Sequence, residues 1–574
     1  MKTFKKQSVL ILSLLVSFVV LFTSCKKDVN DNPPEENEFS ENWGAMVNRD
    51  FMGKIVDEND DPLSNVQVEI GNDVTTTDAN GIFIINDASV YERFAYITAK
   101  KAGYIDMSRS MVPTSGVNYA DIKAMAEELV NLGMAGTDSE VNLPNGTTIK
   151  FDGAFQDENG NAYSGAVSVA VNHLSPSDPD VDKKMPGMLY AQNAANNERI
   201  LETYGMVNVE LRGSGGEILN LANGHTAEIE IPIDASQPNA PGTIELWHFD
   251  EDKGYWIEDG IATKVGNKYV GAVSHFSWWN CDAQFPTVTL CMTIEDTNGN
   301  PIYGVQVVLT PNGMNPRVGY SNGNGEICGL IPSNSSLAME IYDPCGSLIS
   351  TSTVGPFSSN TDIGSSTIPA AQTSVISGTL LDCNNNPVTD GYVTLNYNNI
   401  ESLYTVTNGS FTFNTTTCVS ISNFTLEGVD LNGFQSSDIM NYTFTPPTTN
   451  IGNLVTCNTI DEYITYQIDN DPAITNIDVG HQGNLSGFII SGASPQYIYI
   501  DCHNLTPGVY NSPNFDLLEF WDRSFNVPTN LQFTLSNYGA NVGDYIDMTF
   551  SGTYTDTNSV VKNITGSVHV KRDN

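Results

Sequence analysis

The sequence predicts an all-β protein built as a tandem of β-sandwiches, and three observations carry that expectation. Apolar and polar residues alternate in short runs along the chain, as at Val66, Val68 and Ile70 and again at Val305, Val307 and Leu309. Clusters of Asp, Asn, Gly and Pro separate the runs. One 18-residue pattern occurs three times. Period-two alternation puts one face of a strand into a core and the other into solvent, and turn-forming clusters stop each strand early.

The repeated pattern covers residues 53–70, 292–309 and 378–395. Asp57, Asp296 and Asp382 align, as do Pro62, Pro301 and Pro387, so each copy reads as strand, turn, strand. Each continues to an Asn-Gly pair, at Asn80-Gly81, Asn324-Gly325 and Asn408-Gly409. The positive φ that such a pair supplies predicts a tight hairpin turn at each. This signature resembles the carboxypeptidase regulatory-like domain, a seven-stranded β-sandwich of transthyretin or prealbumin type. The resemblance implies spacers and binding scaffolds rather than peptidases. It predicts copies at 51–135, 286–371 and 372–459.

Between the first and second copies, residues 136–285 form a different unit. Strands are predicted at Thr147–Phe151, Ala166–Val171, Val207–Leu211, Ala227–Ile233, Ile244–Phe249 and Lys268–Val273. Just before it, the composition of Ala120–Leu132 favours a helix, against the strands on either side. The segments Leu201–Leu211, Leu246-Trp247 and His275-Phe276-Ser277-Trp278-Trp279-Asn280-Cys281-Asp282 resemble the β-sandwich of cartilage intermediate layer proteins, netrin receptors and ankyrins. A last unit, 460–574, ends in a hairpin, with Tyr545–Tyr554 and Ile564–Val570 alternating around Thr555-Asp556-Thr557-Asn558.

The N-terminus carries Lys2, Lys5 and Lys6, then an apolar run from Val9 to Phe22. That run is shorter than the ~20 residues needed to span a bilayer, so it reads as an export signal, residues 1–24. Phe22-Thr23-Ser24-Cys25 resembles a lipobox, and the resemblance implies that Cys25 is diacylated, palmitate included, and becomes the mature N-terminus. Several acyl chains give stable anchoring. Residues 25–50 begin with an Asn-, Pro- and Glu-rich stretch that buries too little surface to order itself, which predicts a flexible tether. The start Cys25-Lys26-Lys27-Asp28 resembles lipoproteins of the Bacteroidota. That implies an anchor in the cell outer membrane with the ectodomain exposed at the surface.

Net charge is −42, which argues against nucleic acid and against lying on anionic lipid. Forty per cent hydrophobic residues, with 24 Tyr and 24 Phe, are ample for real cores and exclude wholesale disorder. With Cys25 assigned to lipid, eight cysteines remain: Cys281, Cys291, Cys328, Cys345, Cys383, Cys418, Cys457 and Cys502. An even count in an exported protein predicts disulfides, with Cys383 and Cys418 as the pair expected at strand ends of the third repeat. No Cys-x-x-Cys, His-x-x-His or His-Glu-x-x-His is present to suggest zinc, and no metal or other cofactor is expected. Loosely bound calcium is the exception to consider. The acidic stretches Asp57-Glu58-Asn59-Asp60-Asp61 and Asp178-Pro179-Asp180-Val181-Asp182 carry oxygen ligands without EF-hand spacing.

The seven histidines are scattered singly, and no nucleophile elbow, phosphate loop or dinucleotide fingerprint occurs. The leading expectation is a non-catalytic binding or adhesion scaffold, a rod of sandwiches presenting an unknown protein or glycan ligand site away from the membrane. The alternative is a glycan-binding accessory of a polysaccharide capture system, with the last unit, 460–574, binding the glycan. Trp247, Trp256, Trp278 and Trp279 could form a sugar platform, though their alternation with polar residues suits a core better. A third reading is self-cleavage. His275-Phe276-Ser277 is the motif of autoproteolytic netrin-receptor-like and nucleoporin domains, and the resemblance implies Ser277 as nucleophile, His275 as base and the Phe276–Ser277 bond as target.

Overall fold

A computed structural model describes residues 39–572, apart from residues 40, 42, 344–345, 370–372, 399, 419–420, 434, 460–461, 470–473, 477–478, 485–486, 493–496, 513, 521–528, 540, 543 and 558–559. Cys25, Cys345 and the N-terminal signal and tether up to residue 38 lie outside the described residues. Nearly every described element is a strand, as expected. Among the described residues no helix is long and apolar enough to cross a membrane.

The three repeats share one topology. In the first, the strand Met46–Val56 lies between Ile82–Tyr91, antiparallel, and the short parallel strands Asn118–Tyr119 and Ile122–Lys123. A second sheet, ordered Asp73–Thr76, Gln67–Ile70, Ala95–Lys100, Met107–Met111, closes the sandwich. The second repeat builds the same first sheet from Glu326–Pro332, the later half of Trp278–Asp296, and Thr361–Ile368 in parallel. The third uses Ser410–Thr416, Thr373–Asp382 and Thr448–Thr456.

The aligned aspartates explain the shared pattern. Asp57 Oδ1 accepts the backbone N–H groups of Asn59 (2.7 Å) and Asp61 (3.0 Å). Asp296 does the same for Asn298 and Asn300, and Asp382 for Asn384 and Asn386. The central unit repeats the device at Asp157, which accepts from Asn159 and Asn161. A carboxylate two residues before the turn's apex replaces the backbone acceptor that the turn cannot supply.

The Asn-Gly pairs make tight turns, with Thr407 and Ser410 exchanging both backbone hydrogen bonds around Asn408-Gly409, but the strands they join do not pair on as hairpins. Each joins strands of different sheets: Asp73–Thr76 to Ile82–Tyr91, Arg317–Tyr320 to Glu326–Pro332, and Ile400–Thr405 to Ser410–Thr416. Glycine is needed there because the crossing chain runs against the first strand. A Cβ on Gly81 would stand 2.4 Å from the Ile55 carbonyl oxygen, and one on Gly325 would stand 2.2 Å from that of Ile294. Both residues have positive φ.

Ala120–Leu132 is not a helix. Ala120, Ile122 and Ala124 alternate inward, and the N–H groups of Ala120 and Ala124 donate to Met52 and Val56 on the neighbouring strand. Pairing with the neighbouring strand overrides helix propensity here. The segment Val130–Met134 pairs with Ala166–Leu174, so it belongs to the central sandwich although it precedes residue 136. The one helix among the described residues is the four-residue Val181–Lys184, which begins at the end of the second acidic stretch.

The central unit and the second repeat share a strand. Trp278–Asp296 runs 19 residues without a break. Its first part pairs with Glu198–Gly213 and Thr243–Asp250 of the central unit, and from Thr287 onward it pairs with Glu326–Pro332 and Thr361–Ile368 of the second repeat. Exposed Pro286, which lacks an N–H, sits at the handover.

The sandwiches also pack against one another. Met52 and Ile82 of the first repeat form one apolar cluster with Tyr392, Leu403 and Val429 of the third. Ile105 and Met125 of the first repeat pack with Leu201, Trp247, Trp256 and Trp278 of the central unit. Tyr303 of the second repeat lies in the third repeat's core, its ring 4.5 Å from that of Tyr404 and 5.2 Å from that of Tyr119. The C-terminal sandwich has its own core, with the strands Tyr545–Thr555 and Val561–Lys571 paired along their length as expected.

Candidate functional site

The motif His275-Phe276-Ser277 occupies the turn that leads into the shared strand. Phe276 is buried against Phe151, with ring centroids 5.5 Å apart. Asn220, on the strand Ile218–Leu221, clamps it from both sides. The Phe276 N–H donates to Asn220 Oδ1 (2.7 Å), and Asn220 Nδ2 donates to the Phe276 carbonyl (3.1 Å). That donor polarises the carbonyl a serine would attack.

The other two partners are not brought together. Ser277 Oγ donates to the Trp278 carbonyl at 3.2 Å. The His275 ring packs edge-on against His248 (4.7 Å between centroids) and against Trp279 (5.2 Å), whose Nε1 donates to the His275 carbonyl. Burial lowers the basicity of both histidines, His248 to about 4, with His275 adding to the effect on His248. Both rings are therefore neutral near pH 7. A neutral His275 has the protonation state of a base, but its ring lies among aromatics rather than on the serine.

Further along the strand, polar side chains are buried as a connected set. Thr203 Oγ1 donates to Asn280 Oδ1 (2.8 Å), and Asn280 Nδ2 donates to Asp282 Oδ2 (2.6 Å). Trp247 Nε1 caps the Asp282 carbonyl at 3.0 Å. Asp282 is 0% exposed, and burial pushes its carboxyl well above the usual carboxylate range. Cys281 is a buried free thiol that burial likewise pushes up, the opposite of a reactive cysteine.

Ion pairs fasten the junctions. Arg317 of the second repeat donates to Glu202 Oε2 (2.9 Å) and to the Leu201 carbonyl (2.8 Å), while the Asn315 N–H donates to Glu202 Oε1. Between the first and third repeats, the Tyr392 hydroxyl donates to Asp78 (2.6 Å), and Tyr119 donates to the Leu403 carbonyl. Burial pushes the Asp78 carboxyl up, and the Tyr392 hydrogen bond holds it partly back.

The two acidic stretches considered for calcium do meet, at a lysine. Lys123, its side chain 6% exposed, places Nζ 2.8 Å from Asp60 and 3.0 Å from Asp180. Asp178 pairs with Lys184. Asp57 is engaged in its own turn. An internal ammonium thus stands between the carboxylates that sequence alone would offer to a cation. Among the described residues no group of three or more His, Cys, Asp or Glu side chains is placed to hold a metal.

The disulfides differ from the expected pair. Cys383 bonds Cys457 rather than Cys418, and Cys291 bonds Cys328 on the adjacent strand. Cys383 and Cys457 follow neighbouring parallel strands that end in register, Asp382 opposite Thr456, which sequence separation could not reveal. Cys418 is also disulfide-bonded. Cys281 and Cys502 are buried free thiols, so oxidation does not extend to all eight. The four tryptophans are core residues, each between 0% and 2% exposed, and form no platform.

No family model matches the chain. It is 25% identical over 222 residues to cartilage intermediate layer protein 2 of Homo sapiens, covering 36% of this chain and 19% of that protein. Cartilage intermediate layer protein 1 of Homo sapiens is 27% identical over 146 residues, 24% of this chain and 11% of that one. The chain thus spans a fifth or less of the length of these curated relatives. Among solved structures, the shaft pilin SpaA of Lactobacillus rhamnosus GG aligns with 30% of this chain and 98% of its own, at 10% identity and a TM-score of 0.17. The major pilin subunit BcpA of Bacillus cereus aligns with 71% of this chain and 99% of its own, at 9% identity and a TM-score of 0.12.

Proposed function

We propose that the chain is a non-catalytic scaffold of the cell surface, held by lipid at Cys25, whose laterally packed sandwiches keep a binding face in a fixed orientation. The observation that carries this reading is the strand Trp278–Asp296, which belongs to two sandwiches at once. Together with the shared apolar clusters it supports a rigid support rather than beads on a flexible string. The separation of His275 from Ser277 speaks against catalysis at the one motif that invited it. The anchor rests on Thr23-Ser24-Cys25, outside the described residues.

Two measurements test the reading. Cells producing the wild-type chain should incorporate labelled palmitate into it, and Cys25→Ala should abolish the label. Equal labelling of both would remove the anchor. The purified ectodomain, given chromogenic ester, peptide and glycoside substrates, should turn none of them over. Sustained turnover would overturn the non-catalytic assignment.

A further inference from the structure

We propose that the outward face of the strand Ile498–Cys502, in the C-terminal sandwich, is a binding platform for an uncharged glycan. The strand alternates strictly. Ile498, Ile500 and Cys502 are 0% exposed and face the core, so Tyr497, Tyr499, Asp501 and His503 share the opposite face. Tyr499 is 37% exposed, and its ring lies 6.0 Å from that of Tyr497 at 63°. Aromatic rings side by side on a solvent-facing sheet surface fill no core.

The neighbours leave the Tyr499 ring accessible along one flank. Directly across from Tyr499 on the next strand is Ser491, and across from Ser491 is Gly480. Even a Cβ added to Gly480 would meet nothing nearer than Ser491 Oγ at 3.5 Å. Two small residues in a row make a shallow trough beside the ring. Exposed Gln482 lies on the same face, and further along the Tyr499 strand Asp501 Oδ2 stands 3.2 Å from His503 Nε2.

This combination suits a sugar. A pyranose presents a C–H face that packs on an aromatic ring and a rim of hydroxyls that both donate and accept. Tyr497 and Tyr499 offer the apolar surface; Asp501 accepts, while Gln482, Ser491 and His503 can do either. The ligand is assigned as uncharged because a chain of net charge −42 repels polyanions. The inference rests on the reading of the chain as non-catalytic, and gives the binding face a place and a ligand class.

Affinity electrophoresis of the full ectodomain through gels containing starch, xylan, mixed-linkage glucan or polygalacturonate tests it. At least one of the three neutral polysaccharides should retard the wild type. Tyr499→Ala should weaken that retardation at least tenfold, Tyr499→Phe should keep most of it, and Asp501→Asn should weaken it several-fold. Tyr320→Ala, at an exposed tyrosine of the second repeat, should change nothing. Retardation undiminished in Tyr499→Ala overturns the site, as does retardation by polygalacturonate alone or by no gel at all. Shortened polysaccharide chains in the same samples would instead overturn the non-catalytic reading.

Discussion

The Tyr392 hydroxyl donates to Asp78 at 2.6 Å, joining residues 314 positions apart across the junction of the first and third repeats. Asp78 also locks its own turn by accepting from the N–H groups of Asn80 and Ile82. One carboxyl therefore shapes a local crossing and fastens a distant domain. Tyr392→Phe keeps the ring in its apolar cluster and removes the donor. The expected cost is about 1–3 kcal/mol, the range for leaving a buried polar group unsatisfied. Denaturant unfolding measures it, and a change below about 0.3 kcal/mol would show that apolar packing alone holds the junction.

Lys123→Ala should also loosen a junction, that of the first repeat with the central unit. Asp60 is well exposed and can rehydrate, so the penalty falls below that of a fully buried pair, at about 1–2 kcal/mol. Because an ammonium already stands between Asp60 and Asp180, millimolar calcium should leave the wild-type melting temperature unchanged. A rise of several degrees would show a cation displacing the Lys123 ammonium from these carboxylates.

Asp282 makes a pH prediction. Its folded value stands above its unfolded value because burial disfavours the charged form. The stabilisation it gives is thus present in full below about pH 4 and is lost as pH rises through the folded value. Asp282→Asn, neutral and of the same shape, should remove that loss at alkaline pH. Melting temperatures from pH 5 to 9 that fall in parallel for variant and wild type would refute it.

Thiol mapping should find Cys291–Cys328 and Cys383–Cys457 oxidised, with Cys281 and Cys502 alkylated only after denaturation. Closing loops of 37 and 74 residues should contribute about 4 kcal/mol each on the chain-entropy model. Reduction should therefore weaken the second and third repeats and spare the first. Alkylation of Cys383 in native, unreduced protein would contradict the pairing.

Ser277→Ala should leave a single full-length band on denaturing gels, identical to fresh wild type, because the Ser277 hydroxyl is turned to the Trp278 carbonyl. Fragments of about 250 and 300 residues in the wild type, absent in the variant, would restore self-cleavage.

What the sequence made legible was local. Asp57, Asp296 and Asp382 mark turns because each carboxylate bonds backbone groups two and four residues on, and such an interaction leaves a fixed spacing. The Asn-Gly pairs revealed a positive φ but not which sheet the next strand would join. Ala120–Leu132 misled because propensity is intrinsic to the residues, whereas the inward alternation of Ala120, Ile122 and Ala124 has meaning only beside Met46–Val56. The partners of Cys383, Asp78 and Lys123 left no local trace. Tyr497 and Tyr499 flank Ile498 in plain alternation, a pattern that marks an outward aromatic face, but only the neighbouring strands show that Ser491 and Gly480 leave room beside it.

The strand Trp278–Asp296 has a mechanical consequence. Where folded modules are joined by a loop, tension first straightens the loop and swivels the modules apart. Here tension passing from the central sandwich to the second repeat enters a single extended segment, paired on both edges inside each sandwich and on one edge from Ala283 to Thr289 at the handover. Force along that axis shears inter-strand hydrogen bonds together instead of peeling them singly, and the joint offers no slack to take up first.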